Sequence, residues 1–176
     1  MALPEILRRR DGSAFLLAVA AVGIVASAWG FELIGGFVPC RLCLEQRMPY
    51  YLGAPLALLA ALADRAPGPR LTARLLLVAL AGLFAWGLWV GAYQAGAEWG
   101  WWPGPADCSG GRTTPIPTSA GDLLASLDTV KVIDCTKPQI RILGLSFAGW
   151  NVLVSLGLIA ATLHAALSPW VRSSRG

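Results

Sequence analysis

Residues 75–93 read LLLVALAGLFAWGLWVGAY, nineteen positions without a formal charge. A helix crosses a bilayer with about 20 predominantly apolar residues, within a range of roughly 17–25, and this stretch meets that length. The charge-free run continues to residue 97, and residues 14–31, 48–63 and 142–171 form three more, His164 aside. Three of the four runs reach spanning length, and 48–63 falls just short. Across all 176 residues 56% are hydrophobic and only 14% charged, where a soluble domain carries about 25% charged residues. Mean hydropathy is +0.60. So few charges cannot cover a water-facing surface. The composition excludes a soluble enzyme and a disordered chain, and predicts an all-α integral membrane protein, a four-helix transmembrane bundle.

The spans are expected at 14–34, 48–63, 75–93 and 143–167. The first follows Arg8-Arg9-Arg10 and ends near Gly35-Gly36. The second has Pro49 near its first turn, where a missing N–H costs little, and Pro55 inside it, which kinks a helix. Ser168-Pro169 stops the fourth. Charge sets the orientation. The N-terminus, the 64–74 loop and the C-terminus hold eight basic residues against three acids, whereas 35–47 and 94–142 hold six against six. Basic residues in short segments stay cytoplasmic, so both termini are expected inside and both long connections outside. A cleavable signal ending at Ala26-Ser27-Ala28 is the competing reading, but the apolar run continues to Ile34. The net charge of +4 comes from arginines at span ends, so no nucleic-acid partner is expected.

All four cysteines, Cys40, Cys43, Cys108 and Cys135, fall in the segments assigned to the outside, where disulfides form and persist. Three readings compete. Two inert disulfides would staple loops, but a Cys-X-X-Cys ring is so small that it removes little unfolded-state entropy. A four-cysteine zinc site is feasible, yet only Cys40 and Cys43 are closely spaced, so no metal is expected. A redox relay, with thiol–disulfide exchange between a close pair and a loop pair, suits a motif at the lipid boundary. No haem, flavin or iron–sulfur motif is visible, so the expected sink is lipid-soluble, a quinone. Arg47, four residues after Cys43, shares its helix face. Its charge can depress a thiol pKa and stabilise charge developing on a quinone oxygen, or simply anchor a helix end.

The residues also carry a resemblance. Pro39-Cys40-Arg41-Leu42-Cys43-Leu44-Glu45-Gln46-Arg47 with Met48-Pro49-Tyr50-Tyr51, Glu98-Trp99-Gly100-Trp101-Trp102 with Gly104-Pro105 before Cys108, and Asp134-Cys135 with 143–151 (LGLSFAGWN) resemble the disulfide bond formation protein B (DsbB) family. The likeness covers nearly the whole chain. It implies a bacterial inner-membrane thiol:quinone oxidoreductase with both termini cytoplasmic and the cysteines periplasmic. Such a protein reoxidises a periplasmic thioredoxin-like DsbA-type oxidase and passes electrons to ubiquinone or menaquinone. Carried over by position, Cys108 is attacked by the partner, Cys135 resolves onto Cys40, and Cys43 faces the quinone beside Arg47. The quinone would also contact the outer end of helix three. There many family members have histidine and this chain has Gln94, which cannot donate a proton at neutral pH; Glu98 or Glu32 would substitute. Tyr93, Trp99, Trp101 and Trp102 are expected as an interfacial belt.

The long periplasmic loop is expected to contain a short amphipathic helix, capped by Ser119 or Asp122 and running through Val130 with Leu123, Leu124 and Leu127 on one side. Such a helix lies along a membrane surface. Thr114-Pro115-Ile116-Pro117 reads as an extended linker. Two rivals to the relay remain: a membrane scaffold with inert structural disulfides, and a paralogue dedicated to one partner oxidase.

Overall fold

The structure, a computed structural model, describes residues 10–66, 70–104 and 135–168. Among them are four helices: α1 (Arg10–Leu33), α2 (Arg41–Arg65), α3 (Arg70–Glu98) and α4 (Phe147–Leu167). A two-stranded antiparallel hairpin, β1 (Arg141–Ile142) and β2 (Leu145–Ser146), leads directly into α4. Successive helices run antiparallel. Near one end Glu32 meets Arg47, and at the other Asp11 meets Arg65. The end of α3 lies against the start of α2, and Gly91 abuts Asn151 and Val152 near the start of α4. α2 packs against α1 and α3, α3 also against α4, and α1 closes on α4 over a smaller area.

Small residues make these contacts possible. Ala14, Ala21, Ala57, Ala60, Ala61 and Ala165 are buried around Leu77, Leu80 and Phe84. Between helices that share a lipid solvent, alanine and glycine let backbones approach and gain dispersion energy where no hydrophobic drive exists. Large apolar side chains point outward instead, Leu75, Val78, Trp86 and Trp89 from α3 and Leu58, Leu59 and Leu62 from α2. Hydroxyls within the helices are satisfied locally: Ser27 Oγ donates to the Gly23 carbonyl and Thr162 Oγ1 to that of Leu158. That pattern suits a medium offering no hydrogen-bond partners.

Among the described residues three helices are long and apolar enough to cross a membrane, within Asp11–Leu33, Leu71–Glu98 and Phe147–Leu167. The remaining helix, α2, has 25 residues, but charges at Arg41, Glu45, Arg47, Asp64 and Arg65 crowd both of its ends.

Several expected boundaries move. α2 begins at Arg41 rather than near 48, so Pro49 and Pro55 are both interior. α3 continues to Glu98, which takes Gln94 and Glu98 into the helix. The start expected at 143 is instead the turn of the hairpin. Leu143 and Gly144 both have positive φ, +53° and +83°, as a two-residue type I′ turn requires. α4 then starts behind Ser146, whose Oγ accepts from the Gly149 amide at 3.2 Å. The loop helix 119–130, the 114–117 linker and Cys108 lie outside the described residues.

Candidate functional site

The chain reaches Cys40 extended (φ −77°, ψ 171°) and turns at once into α2. Cys40 is the N-cap: its Sγ accepts from the Cys43 amide at 3.3 Å. Capping by the first cysteine therefore puts the second in the first helical turn. There the unpaired amides and the helix dipole favour negative charge. Both thiols are free, and their sulfurs stand 2.9 Å apart. A disulfide is about 2.05 Å long, so little movement separates this pair from a bond.

Gln94 reaches the pair from α3. It is 4% exposed, and its Nε2 points at Cys40 Sγ (3.7 Å), Cys43 Sγ (3.6 Å) and Glu98 Oε1 (3.3 Å). Gln46 Nε2 donates to Gln94 Oε1 at 2.6 Å and so fixes which way the amide faces. The two sulfurs divide the remaining proton between them. Cys43 lies ahead of the charge-free stretch of α2, and its thiol is pushed down to about 6, chiefly by the hydrogen bond from the Cys40 thiol and next by Gln94. Burial and the Glu98 charge oppose this. Cys40 moves the opposite way, up, because it is the donor in that bond and is buried beside a thiolate.

Arg47 forms an ion pair across two helices. Its Nη1 donates to Glu32 Oε2 at 2.7 Å, joining α2 to α1, and its Nη2 reaches the Ala28 carbonyl at 3.4 Å. The low Cys43 thiol is due to Cys40 and Gln94 rather than to this guanidinium. Cys43, Gln46, Arg47 and Tyr50 nevertheless share one face of α2, as steps of three and four dictate, and all four line a cavity of about 370 Å³. Ile24, Val25, Phe31, Phe147 and Val154 form much of its apolar wall. Deeper in the bundle Tyr50 Oη donates to Asn151 Oδ1 and lies 3.0 Å from Ser155 Oγ, while Asn151 Nδ2 donates to the Gly87 carbonyl.

Cys135 is 1% exposed and packs in one cluster with Cys40, Leu42 and Val90. It is in a disulfide. The structure thus brings Cys40, Cys43, Cys135, Arg47, Gln94, Glu32 and Glu98 to a single cavity; Cys108 is outside the described residues. Tyr93 and Trp102 stack, and Trp102 Nε1 donates to the Tyr93 carbonyl. These two, Trp99 and Trp101 are not among the cavity-lining residues. Sequence reasoning missed Gln46, although a polar amide three residues after Cys43 was the available signal. It also missed the Tyr50–Asn151–Ser155 cluster, which spans 105 residues of sequence and leaves no local trace.

Helices apolar enough to cross a membrane, carrying a Cys-X-X-Cys pair whose sulfurs meet Gln94 at a cavity, define a membrane thiol-redox protein. The sequence matches the family described as "Disulfide bond formation protein DsbB" over residues 9–165. The chain belongs to the DsbB family, and with it to the disulfide-forming oxidoreductases. It is 31% identical over 172 residues to Disulfide bond formation protein B 2 of Pseudomonas syringae pv. syringae (strain B728a), covering 89% of this chain and 90% of that one. It is 32% identical over 163 residues to Disulfide bond formation protein B of Polaromonas naphthalenivorans (strain CJ2), covering 90% and 95%. No solved structure matches.

Proposed function

We propose that this chain oxidises a periplasmic thioredoxin-like oxidase of the DsbA type and relays the electron pair through Cys108–Cys135 and then Cys40–Cys43 to a membrane quinone, ubiquinone or menaquinone. The observation that carries this reading is the meeting of free Cys43 with Arg47 and Gln94 on one cavity wall. The residues present fit such a ligand. Apolar side chains suit a flat ring, and the Arg47 guanidinium suits its oxygens. When bound, the quinone supplies a two-electron sink.

The protein's own steps follow from thiol–disulfide exchange. The partner thiolate attacks Cys108 and releases Cys135. Cys135 then attacks Cys40, and Cys43 departs as the thiolate. Gln94 and the amides of the first turn hold that thiolate toward the cavity. The partner's second thiolate then displaces Cys108 and leaves the partner oxidised, Cys108 attacks Cys135 and releases Cys40, and oxidation of the resulting Cys40–Cys43 dithiol passes two electrons to the quinone and resets the pair.

The same reading places the chain in the bacterial inner membrane with both termini cytoplasmic, the cysteines periplasmic, and α2 as the fourth span. At 1.5 Å per residue α2 is about 37 Å long, enough to cross beside its neighbours with its charges at the two faces.

Quinone reduction driven by a reduced thioredoxin-like partner tests this. Cys43→Ala should abolish turnover, and Arg47→Ala should lower it by roughly 10²-fold, the usual cost of one charge-stabilising donor. Cys108→Ala should block oxidation of the partner while leaving oxidation of a small dithiol partly intact. Unchanged activity in the first two variants overturns the assignment. A reduced chain that quinone cannot reoxidise would favour a scaffold stapled by two inert disulfides.

A further inference from the structure

Complete reduction of a quinone takes up two electrons and two protons. A reduced pair with a thiolate at Cys43 brings two electrons but only one proton, the one on Cys40. The second must come from another group. The titratable and charged side chains around the cavity are Glu32 from α1, Cys40, Cys43, Arg47 and Tyr50 from α2, Glu98 from α3 and Lys137 from the segment before β1; α4 contributes none. Glu32 is committed to Arg47, the Tyr50 hydroxyl to Asn151, and Lys137 is exposed.

Glu98 differs from all of these. Its Oε1 accepts from Gln94 Nε2, while its Oε2 is buried with no hydrogen-bond partner. A buried carboxylate oxygen without a donor is costly and rare, and a proton placed there removes the cost. The residue is also the last of α3, next to exposed Trp99 and Gly100, at the end of the helix that the proposed orientation turns to the outer face.

We infer that Glu98 Oε2 is the proton-delivering atom of this site, with Gln94 as the positioning residue that holds the carboxyl beside the sulfurs. The inference rests on the thiol-to-quinone reading. In balance, the Cys40 thiol and Cys43 thiolate form a disulfide and lose two electrons and one proton. Glu98 loses the second proton, becomes the carboxylate, and is recharged from the outer aqueous side. The quinone gains both electrons and both protons.

The test uses the full chain in detergent, reduced by a small dithiol, with a short-chain benzoquinone as acceptor. Between about pH 6.5 and 8 the wild-type rate should be nearly flat, whereas Glu98→Gln should be at least about tenfold slower and should speed up as pH falls, because protons then come from solvent. Glu32→Gln should keep the flat profile. A second readout needs no quinone. Only a carboxylate at Glu98 would raise the Cys43 thiol; a Glu98 that holds its proton in the reduced chain carries no charge, so Glu98→Gln should leave the midpoint of iodoacetamide labelling in place. A Glu98→Gln rate profile matching wild type, or a labelling midpoint that falls, overturns the inference. If Glu98→Gln does not fold, Glu98→Asp decides: a several-fold slower rate with a flat profile supports it, and an unchanged rate overturns it. A wild-type chain that fails to reduce the quinone at all brings down the underlying reading instead, a result distinguishable from either.

Discussion

Cys43 is governed by neighbours from two helices, and each leaves a measurable mark. With its thiol near 6, the reduced protein should react with iodoacetamide along a curve whose midpoint lies there, not near 9 as for an ordinary thiol. The sign for Gln94 follows from its bond. Its amide donates to the thiolate form, so Gln94→Ala should move the midpoint upward and slow labelling several-fold at pH 6 to 7. A midpoint that does not move would remove Gln94 from the thiol's surroundings. At this scale the sequence was legible where partners are close along the chain. The Cys-X-X-Cys spacing and the four-residue step to Arg47 put those residues on one helix face, and there they are. Gln94 lies 51 residues from Cys43, and only likeness to a family suggested it. The ion pair of Arg47 with Glu32 was illegible because it joins two helices whose relative rotation no local pattern reveals.

Helices are set by their caps as much as by their apolar runs, which is why the apolar runs fall in helices whose ends lie elsewhere than expected. Hydropathy marks where charge is forbidden, and it says nothing of helix that continues past the lipid. α2 therefore starts at the Cys40 cap, seven residues before the charge-free stretch, and α3 carries Gln94 and Glu98 one turn apart. The hairpin before α4 escaped notice because its turn has Leu143 in a left-handed conformation that glycine or asparagine usually occupies. Packing between elements gives a contrast that can be tested. A Cβ on Gly91 would sit 2.8 Å from Asn151 Nδ2, whereas one on Gly82 would meet nothing within 4 Å. Gly91→Ala should cost about 1–3 kcal/mol, the usual range for overpacking, and should lower the thermal midpoint in detergent. Gly82→Ala should be neutral or slightly stabilising, through helix propensity alone. Equal behaviour of the two would argue against the close approach of α3 and α4.

For the molecule as a whole, the expected orientation makes one plain demand. A membrane-impermeant maleimide applied to intact spheroplasts should label the reduced Cys40–Cys43 pair from outside. A cysteine introduced by Ala66→Cys, at the opposite end of α2, should label only after the membrane is opened. The reverse pattern would invert the protein and end the assignment of the cysteines to the oxidising side. The orientation is an expectation from charge asymmetry, eight basic residues against three acids on one side. The cavity was not readable, because its wall is assembled from all four helices and the segment before β1.

The choice of a carboxamide at position 94 carries a consequence for life in a changing medium. Gln94 takes up no proton as the surroundings sour, where an imidazole in its place would become a cation and turn from acceptor to donor. The side chain that orders both sulfurs therefore keeps one form through acid and neutral conditions, and sensitivity to acidity falls to the thiolate and the carboxyl on either side of it.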